Sequence, residues 1–214
     1  MERPFDSVTS GEPDPGWVQS HTKTATLREG TSVLIRPILP DDKNLLDMGF
    51  QRLSPESRYL RFQYTISRLN EAELRHLTEI DYHDHFAWAA LAKDEPETSM
   101  IGVARYIRMA PASDQAEAAV AVVDDYQGRG LGSILLALLA QTAREHGIRF
   151  FIAYVQPVNA RVIRLARRAG GVFSHEDGTL RLEVPLEESD AGIAAVLRAA
   201  AATEIVVRPG PEKS

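Results

Sequence analysis

The 214-residue chain contains no cysteine. Disulfides, cysteine-ligated zinc and an acyl-enzyme on a thiol are therefore excluded. Long apolar runs are also missing. The longest, near Ile134 to Ala140, falls far short of the ~20 residues that span a bilayer. The opening Met1-Glu2-Arg3-Pro4 has none of the apolar core of a signal peptide, so a cytoplasmic protein with no membrane partner is expected. Positive charge is not in excess: 24 Lys and Arg against 30 Asp and Glu leave a net charge of -6. That balance argues against nucleic acid as a partner, since its readers are basic or carry a basic patch. It suits a cationic acceptor such as an amine, and equally plain solubility. No internal repeat is evident.

The residues present read as one mixed α/β domain of residues 21–186, between an N-terminal tail (1–20) and a C-terminal helix and tail (187–214). The tail reading rests on Pro4, Gly11, Pro13, Pro15 and Gly16 with few apolar residues around them. Thr22 to Leu27 and Ser32 to Ile38 predict a hairpin through Arg28-Glu29-Gly30. Three helix starts follow. They are Pro40 (through Gln51), Ser54 as an N-cap with Pro55 behind it, and Asn70 with Glu73 placed for a capping box. Phe86 to Lys93 and Met100 to Met109 form a second expected hairpin, and Ala118 to Val123 a buried strand. A helix from Leu131 to His146, ended by Gly147, leads to a strand from Arg149 to Val155. The helix Asn159 to Ala169 is stopped by Gly170-Gly171. Val172 to His175 and Leu180 to Val184 form a last hairpin, and Asp190 to Thr203 one more helix.

Between the strand at Val123 and the helix at Leu131 stands Gln127-Gly128-Arg129-Gly130-Leu131-Gly132-Ser133. Glycines at alternate positions let the backbone turn sharply and approach a ligand. The first N–H groups of the helix behind them lack partners and carry partial positive charge. Strand, glycine turn and helix start together make a pyrophosphate site. Two common phosphate loops do not fit. A dinucleotide fingerprint needs glycine where Ser133 stands, and a Walker loop needs a lysine after its last glycine.

Gln127 through Gly132 resembles the acetyl-CoA pyrophosphate loop of the GNAT acyltransferases, and the expected order of elements matches that family from about Ala25 to Pro185. The resemblance implies the GNAT fold, a mostly antiparallel twisted sheet with flanking helices, and acetyl-CoA as co-substrate. It places Gly128, Arg129, Gly130, Gly132 and Ser133 at the pyrophosphate, Val122 and Val123 N–H at the acetyl carbonyl, and Asn159 beside the cofactor. Leu53 to Tyr59, Asp81 to Trp88, and Glu117 ahead of Tyr126-Gln127-Gly128 are similar to the catalytic half of bacterial protein lysine acetyltransferases. The actinobacterial cyclic-AMP-regulated enzymes, which modify acyl-CoA synthetases, look nearest. Those carry a nucleotide-binding domain ahead of the catalytic half, so regulation by cyclic AMP is not expected from so short an N-terminal segment. A protein lysine is the expected acceptor, with an acyl-CoA synthetase as a possible partner.

Acetyl transfer to an amine requires loss of the ammonium proton (pKa ~10.4) and donors for the thioester oxygen. Glu117 is the candidate general base, expected at the start of its strand and partly buried there. The residues alone read equally well as a strand-end carboxylate facing water, and the resemblance assigns the base. Many GNAT enzymes have a tyrosine seven residues after the asparagine to serve the leaving thiolate. Here that position is Ala166, and the acid is unassigned. A small-molecule amine acceptor and a non-catalytic acyl-CoA sensor are the alternatives. No metal is expected from Asp81, His83, Asp84 and His85, whose alternation is weak as a ligand pattern. Arg161, Arg164, Arg167 and Arg168 form a basic face, read first as solvated.

Overall fold

The structure, a computed structural model, describes residues 13–94, 100–176, 178–186 and 208–209. Its centre is a strand that is buried on both sides. β3 (His85–Ala92) is buried at seven of its eight positions, so both faces of the sheet must be covered, one by each layer of helices. The other described strands are β1 (Lys23–Thr26), β2 (Ser32–Pro37), β4 (Met100–Arg108), β5 (Gln115–Val122), β6 (Phe150–Val155), β7 (Val172–Glu176), β8 (Thr179–Pro185) and the two-residue β9 (Arg208–Pro209). Their order is β7-β8-β6-β5-β4-β3-β2-β1-β9. Every described pair is antiparallel except β5 with β6.

That parallel pair requires a crossover, and α5 (Leu131–Glu145) supplies it. Its Leu, Ala and Ile residues are good helix formers or pack well, and nine of the fifteen are buried. The helix stops in a Schellman arrangement. Gly147 turns left-handed at φ +77°, Ile148 N–H donates to Ala143 C=O at 2.9 Å, and Gly147 N–H to Arg144 C=O at 2.9 Å. The opposite face of the sheet carries α2 (Lys43–Gln51), α3 (Pro55–Phe62) and α4 (Glu71–Thr78). A Cβ at Gly49 would lie 2.2 Å from Met100 O, so glycine is what lets α2 rest directly on the backbone of β4. The capping box of α4 forms as its sequence predicts, Asn70 Oδ1 with Glu73 N–H at 2.9 Å and Glu73 Oε2 with Asn70 N–H at 2.8 Å. The last helix, α6 (Ala160–Arg168), follows β6.

Three expectations need correction. Residues 15–20 are not tail, because Pro15–His21 is a short helix, α1. Asp14 caps it by accepting from Gly16 N–H and Trp17 N–H, and Trp17 meets Tyr82 edge-on at 5.4 Å. A proline at the first helical position marks this start, and the low apolar content hid it. The stretch expected as one helix from Pro40 begins with a 3₁₀ turn, Pro40–Asp42. The buried Asp42 carboxylate there takes a two-pronged ion pair from Arg36, at 2.6 and 2.7 Å. The strand expected from Ala118 begins at Gln115, which moves Glu117 from a strand end into a strand interior. The helix expected at Asp190 to Thr203 lies outside the described residues. Beyond it, Arg208–Pro209, expected within the C-terminal stretch and tail, pairs with β1.

Candidate active site

The site is organised by the place where two strands part company. β5 and β6 are in parallel register only over Gln115–Glu117 with Phe150–Ile152. β5 continues to Val122 paired with β4 alone, while β6 continues to Val155 paired with β8. From Ala118 onward, the edge of β5 that faces β6 therefore has backbone groups with no strand to bond. Strand pairing alternates direction, and Val123 N–H donates to Ile101 C=O at 3.0 Å. The amides of Val122 and Val120 consequently point to the open side. This corrects the expectation for Val123, whose amide is already used within the sheet. Of the two valines, Val122 holds the available donor.

The glycine turn stands at the mouth of this gap. After a 3₁₀ turn (Asp124–Tyr126), Gly128 and Gly130 adopt left-handed φ of +76° and +96°, a conformation open to glycine and costly for most residues. No described acceptor receives the N–H groups of Gly128, Arg129, Gly130, Leu131 or Gly132. Ser133 N–H does bond, to Gly130 C=O at 3.0 Å, so the helix contributes its first two amides and not its third. A Cβ on Gly132 would touch only Val122 Cγ2, at an ordinary 3.7 Å. The protein's own packing does not require glycine there, and the absence of a side chain leaves that backbone open to close approach. Free amides at the positive end of a fifteen-residue helix fit a pyrophosphate.

Side chains of the loop serve structure more than ligand. Gln127 Nε2 donates to Val122 C=O at 3.0 Å and to Ser57 Oγ at 3.1 Å, while its Oε1 accepts from Arg161. Arg161 is thus drawn from the basic face of α6 onto the loop. Arg129 pairs with Glu29 at 2.8 Å and lies over the Tyr126 ring. Asn159 caps α6, its Oδ1 accepting from Val162 N–H at 3.2 Å.

A cavity of about 140 Å³ fills the gap between β5 and β6, lined by Ala118, Ala119, Val120, Ala153, Tyr154, Asn159, Val162 and Ala166 among others. Its walls are apolar, and the small side chains of β5 leave room for a slender chain. Val120 and Ala118 face α5. Glu117, Ala119 and Ala121 face the α2–α4 side, where a second, smaller apolar space lies between α2, α3, α4 and the sheet. The two spaces share Ala119 and Arg61.

Glu117 is opposite Ile107 on one side and Ile152 on the other, yet its side chain is exposed. The partial burial expected of it does not occur. In parallel register, residues side by side share a face, so Tyr154, two beyond Ile152, lies on the face of Glu117. Its hydroxyl is beside Arg181 on the paired strand β8.

Helix α3 closes the site like a bar latched at both ends. At its start, the Asp124 carboxylate accepts from Ser54 N–H, Ser54 Oγ and Ser57 Oγ, at 2.9, 2.9 and 3.0 Å. Burial pushes the Asp124 carboxyl up, but these hydrogen bonds outweigh it and hold the group below the usual carboxylate range. At its end, Gln63 turns left-handed and its Nε2 donates to Tyr154 C=O at 2.7 Å, across the gap. Arg58 ties the flanking loops through Leu53, Ser67 and Gln51 carbonyls. Neither latch is visible in the sequence, since each joins residues 67 to 91 positions apart.

The Asp81 segment is a structural knot. Asp81 Oδ1 accepts from the N–H groups of His83, Asp84 and His85 at 2.7–2.8 Å. Buried His85 faces Arg105, Nη1 to Nε2 at 2.9 Å, and burial, with Arg105 beside it, pushes its pKa down to about 2. It is therefore a neutral acceptor. Arg105 donates further to Leu77 C=O.

The profile of the Acetyltransferase (GNAT) family matches residues 53–171, the stretch from the start of α3 to the end of α6. The chain belongs to the GNAT family. The acetyltransferase Pat of Mycolicibacterium smegmatis is 35% identical over 165 residues, which make up 77% of this chain and 49% of that protein. The chain thus spans about half the length of that relative. An acetyltransferase of Pseudomonas aeruginosa is 37% identical over 62% of this chain and 68% of its own length. Among solved structures, the GNAT domain of S. lividans PAT superposes with a TM-score of 0.71 at 33% identity, covering 81% of this chain and 99% of that one. A cAMP-binding acyltransferase from Mycobacterium smegmatis superposes with a TM-score of 0.57 at 30% identity, covering 84% of this chain and 56% of that one. These relatives bear out the mixed α/β GNAT fold and the acyltransferase class. Among the described residues, no helix is long and apolar enough to cross a membrane.

Proposed function

We propose that this GNAT chain transfers the acetyl group of acetyl-CoA directly to a primary amine, a protein lysine in the first instance, with Glu117 as general base. The observation that carries this reading is the parting of β5 from β6 beside five free loop and helix amides. An extended, amide-bearing arm ending in a pyrophosphate matches both features at once. Gly128, Arg129, Gly130 and Gly132 offer N–H groups to the phosphates, and Ser133 adds its hydroxyl. Val122 N–H points to the open edge, where a thioester oxygen gains charge during transfer. Asn159, on the cavity wall, keeps its amide nitrogen for the ligand while its oxygen caps α6. Gln127 acts indirectly by holding Val122 C=O and Ser57. The coenzyme, when bound, supplies the activated acetyl group.

Glu117 lies on the face of β5 opposite α5, one residue-pair from Ala119, which lines the cavity. A carboxylate there takes the proton of the incoming ammonium, directly or through a bridging water, and the freed amine attacks. The exposure of Glu117 favours a macromolecular acceptor over an enclosed small amine. Tyr59 and Tyr64, 44% and 53% exposed on and just beyond α3, give that face an apolar rim suited to a protein surface. An acyl-CoA synthetase in the cytoplasm is the acceptor that the resemblance suggests. The test is incubation with acetyl-CoA and a bacterial lysate, followed by mass spectrometry for acetyl-lysine. New acetyl-lysine on discrete proteins is expected. Acetylation of free polyamines or drugs with no protein modified contradicts the lysine assignment.

A further inference from the structure

We propose that Arg61 stabilises the thiolate that leaves when the acetyl group is transferred, so that the reaction proceeds without a proton donor at the sulfur. This inference rests on the acetyl-CoA reading above. The transfer forms a C–N bond and breaks the C–S bond, and the bonding pair leaves on sulfur as a negative charge. Nitrogen loses two protons: Glu117 takes the first from the incoming ammonium and, exposed to solvent, passes it to water, then takes the second as the C–S bond breaks, so that neither reaches the sulfur. Something on the cavity side must therefore meet an anion.

The cavity between β5 and β6 offers three polar side chains, Arg61, Tyr154 and Asn159. Asn159 has its oxygen committed to the cap of α6. Tyr154 has its hydroxyl beside Arg181. Arg61 is the single charged side chain on the described wall, and it lines both the cavity and the adjoining space at Ala119. It is half-buried at the end of α3, and no hydrogen bond or ion pair engages its guanidinium among the described residues; it lies over the Phe62 ring, at 4.9 Å. A guanidinium withdrawn from water is costly when no carboxylate reaches hydrogen-bonding distance, Glu117 acting on it only through its field, and a site that delivers an anion to it recovers that cost. The charged and titratable groups around it are Glu117 and Tyr64, which favour its cation, and Arg105, which opposes it. Burial lowers the pKa of Arg61, with the Glu117 carboxylate working against that shift. Both latches of α3 fix its place, one at Asp124 and one at Tyr154 C=O. A cation beside a thiol lowers the thiol's pKa from its ordinary ~8.5.

The test uses coenzyme A with a free thiol and no turnover. The thiolate's ultraviolet absorbance is titrated with pH in the complex of wild type, Arg61→Met and Arg61→Lys, with binding of CoA and acetyl-CoA measured by calorimetry on the same samples. The expected result is a bound thiol at least about tenfold more ionised at pH 7 than free CoA. That gain should disappear in Arg61→Met and return in part in Arg61→Lys. An unchanged thiol pKa in Arg61→Met that still binds CoA overturns the role of Arg61 and leaves the acetyl-CoA reading intact. Loss of acetyl-CoA binding in both variants also overturns it, by making Arg61 a general binding residue. Failure of wild type to bind CoA at all removes both.

Discussion

The two faces of β5 do different work by different means. On the side of α5, Ala118, Val120 and Val122 pack against a helix that is nine-fifteenths buried, and in the proposed reading ligand contact falls to backbone groups at the strand edge and the glycine turn. On the side of α2–α4, Ala119 and Ala121 line the space under those helices and Glu117 stands exposed, and in the same reading the chemistry falls to side chains. Backbone donors are placed by the fold itself and need only the right φ. Side-chain groups need a helix to be latched across them, and here α3 is held by Asp124 at one end and Gln63 at the other. In the proposed reading, one face holds a cofactor in a fixed way and the other admits the acceptor.

That division sets the predictions. Glu117→Gln should lower turnover by about 10²–10⁴-fold at neutral pH, the usual contribution of a general base, because it removes the proton acceptor and leaves the fold untouched at an exposed position. Turnover close to wild type would take Glu117 out of the mechanism. Gly130→Val acts on the other face. A β-branched residue at φ +96° is strained by about 1–2 kcal/mol and projects into the amide cradle. Acetyl-CoA affinity should fall at least about tenfold, and a normal calorimetric titration would contradict the cradle. Asp124→Ala removes three hydrogen bonds at an exposed carboxylate and should cost about 1–2 kcal/mol. Its signature is a raised KM for the acceptor with acetyl-CoA binding retained. Equal losses for both substrates would mean that the latch does not separate the two faces.

A further effect concerns pH. His85 has a folded pKa of about 2, far below its unfolded value, so between those values the unfolded chain binds the extra proton. Its contribution is fully present above the unfolded pKa near ~6.5 and is lost as pH falls below it, by about 1.4 kcal/mol per unit. His76 and His146 are shifted the same way by burial. Thermal melts should therefore weaken between pH 7 and 5. His85→Gln, whose amide oxygen can still accept from Arg105, should flatten that slope. A slope unchanged by the substitution would remove His85 as its source.

The division also explains what could be read from the residues. The glycine turn, the Schellman end at Gly147 and the capping box at Asn70 are local, each fixed within a few positions, and each stands where the sequence predicts it. Glu117 was legible as a candidate but its setting was not. Whether its side chain is exposed depends on β6, thirty-odd residues later, and on where the parallel pairing stops. The amide of Val123 was misjudged for the same reason, since only the register with Ile101 shows that it is taken. Arg61 and the Ser54–Asp124 contact were invisible because they depend on α3 crossing the sheet. The helix at Pro15 was missed because an Asp-Pro start in a polar stretch looks like tail.

The account stands most directly on a pair of numbers from one protein preparation: the acetyl-CoA affinity and the turnover of Glu117→Gln. Wild-type affinity with turnover reduced a hundredfold or more is predicted, because the proposed cofactor contacts are backbone amides to which the Glu117 side chain contributes nothing. Wild-type turnover, or a loss of affinity that matches the loss of turnover, would contradict it.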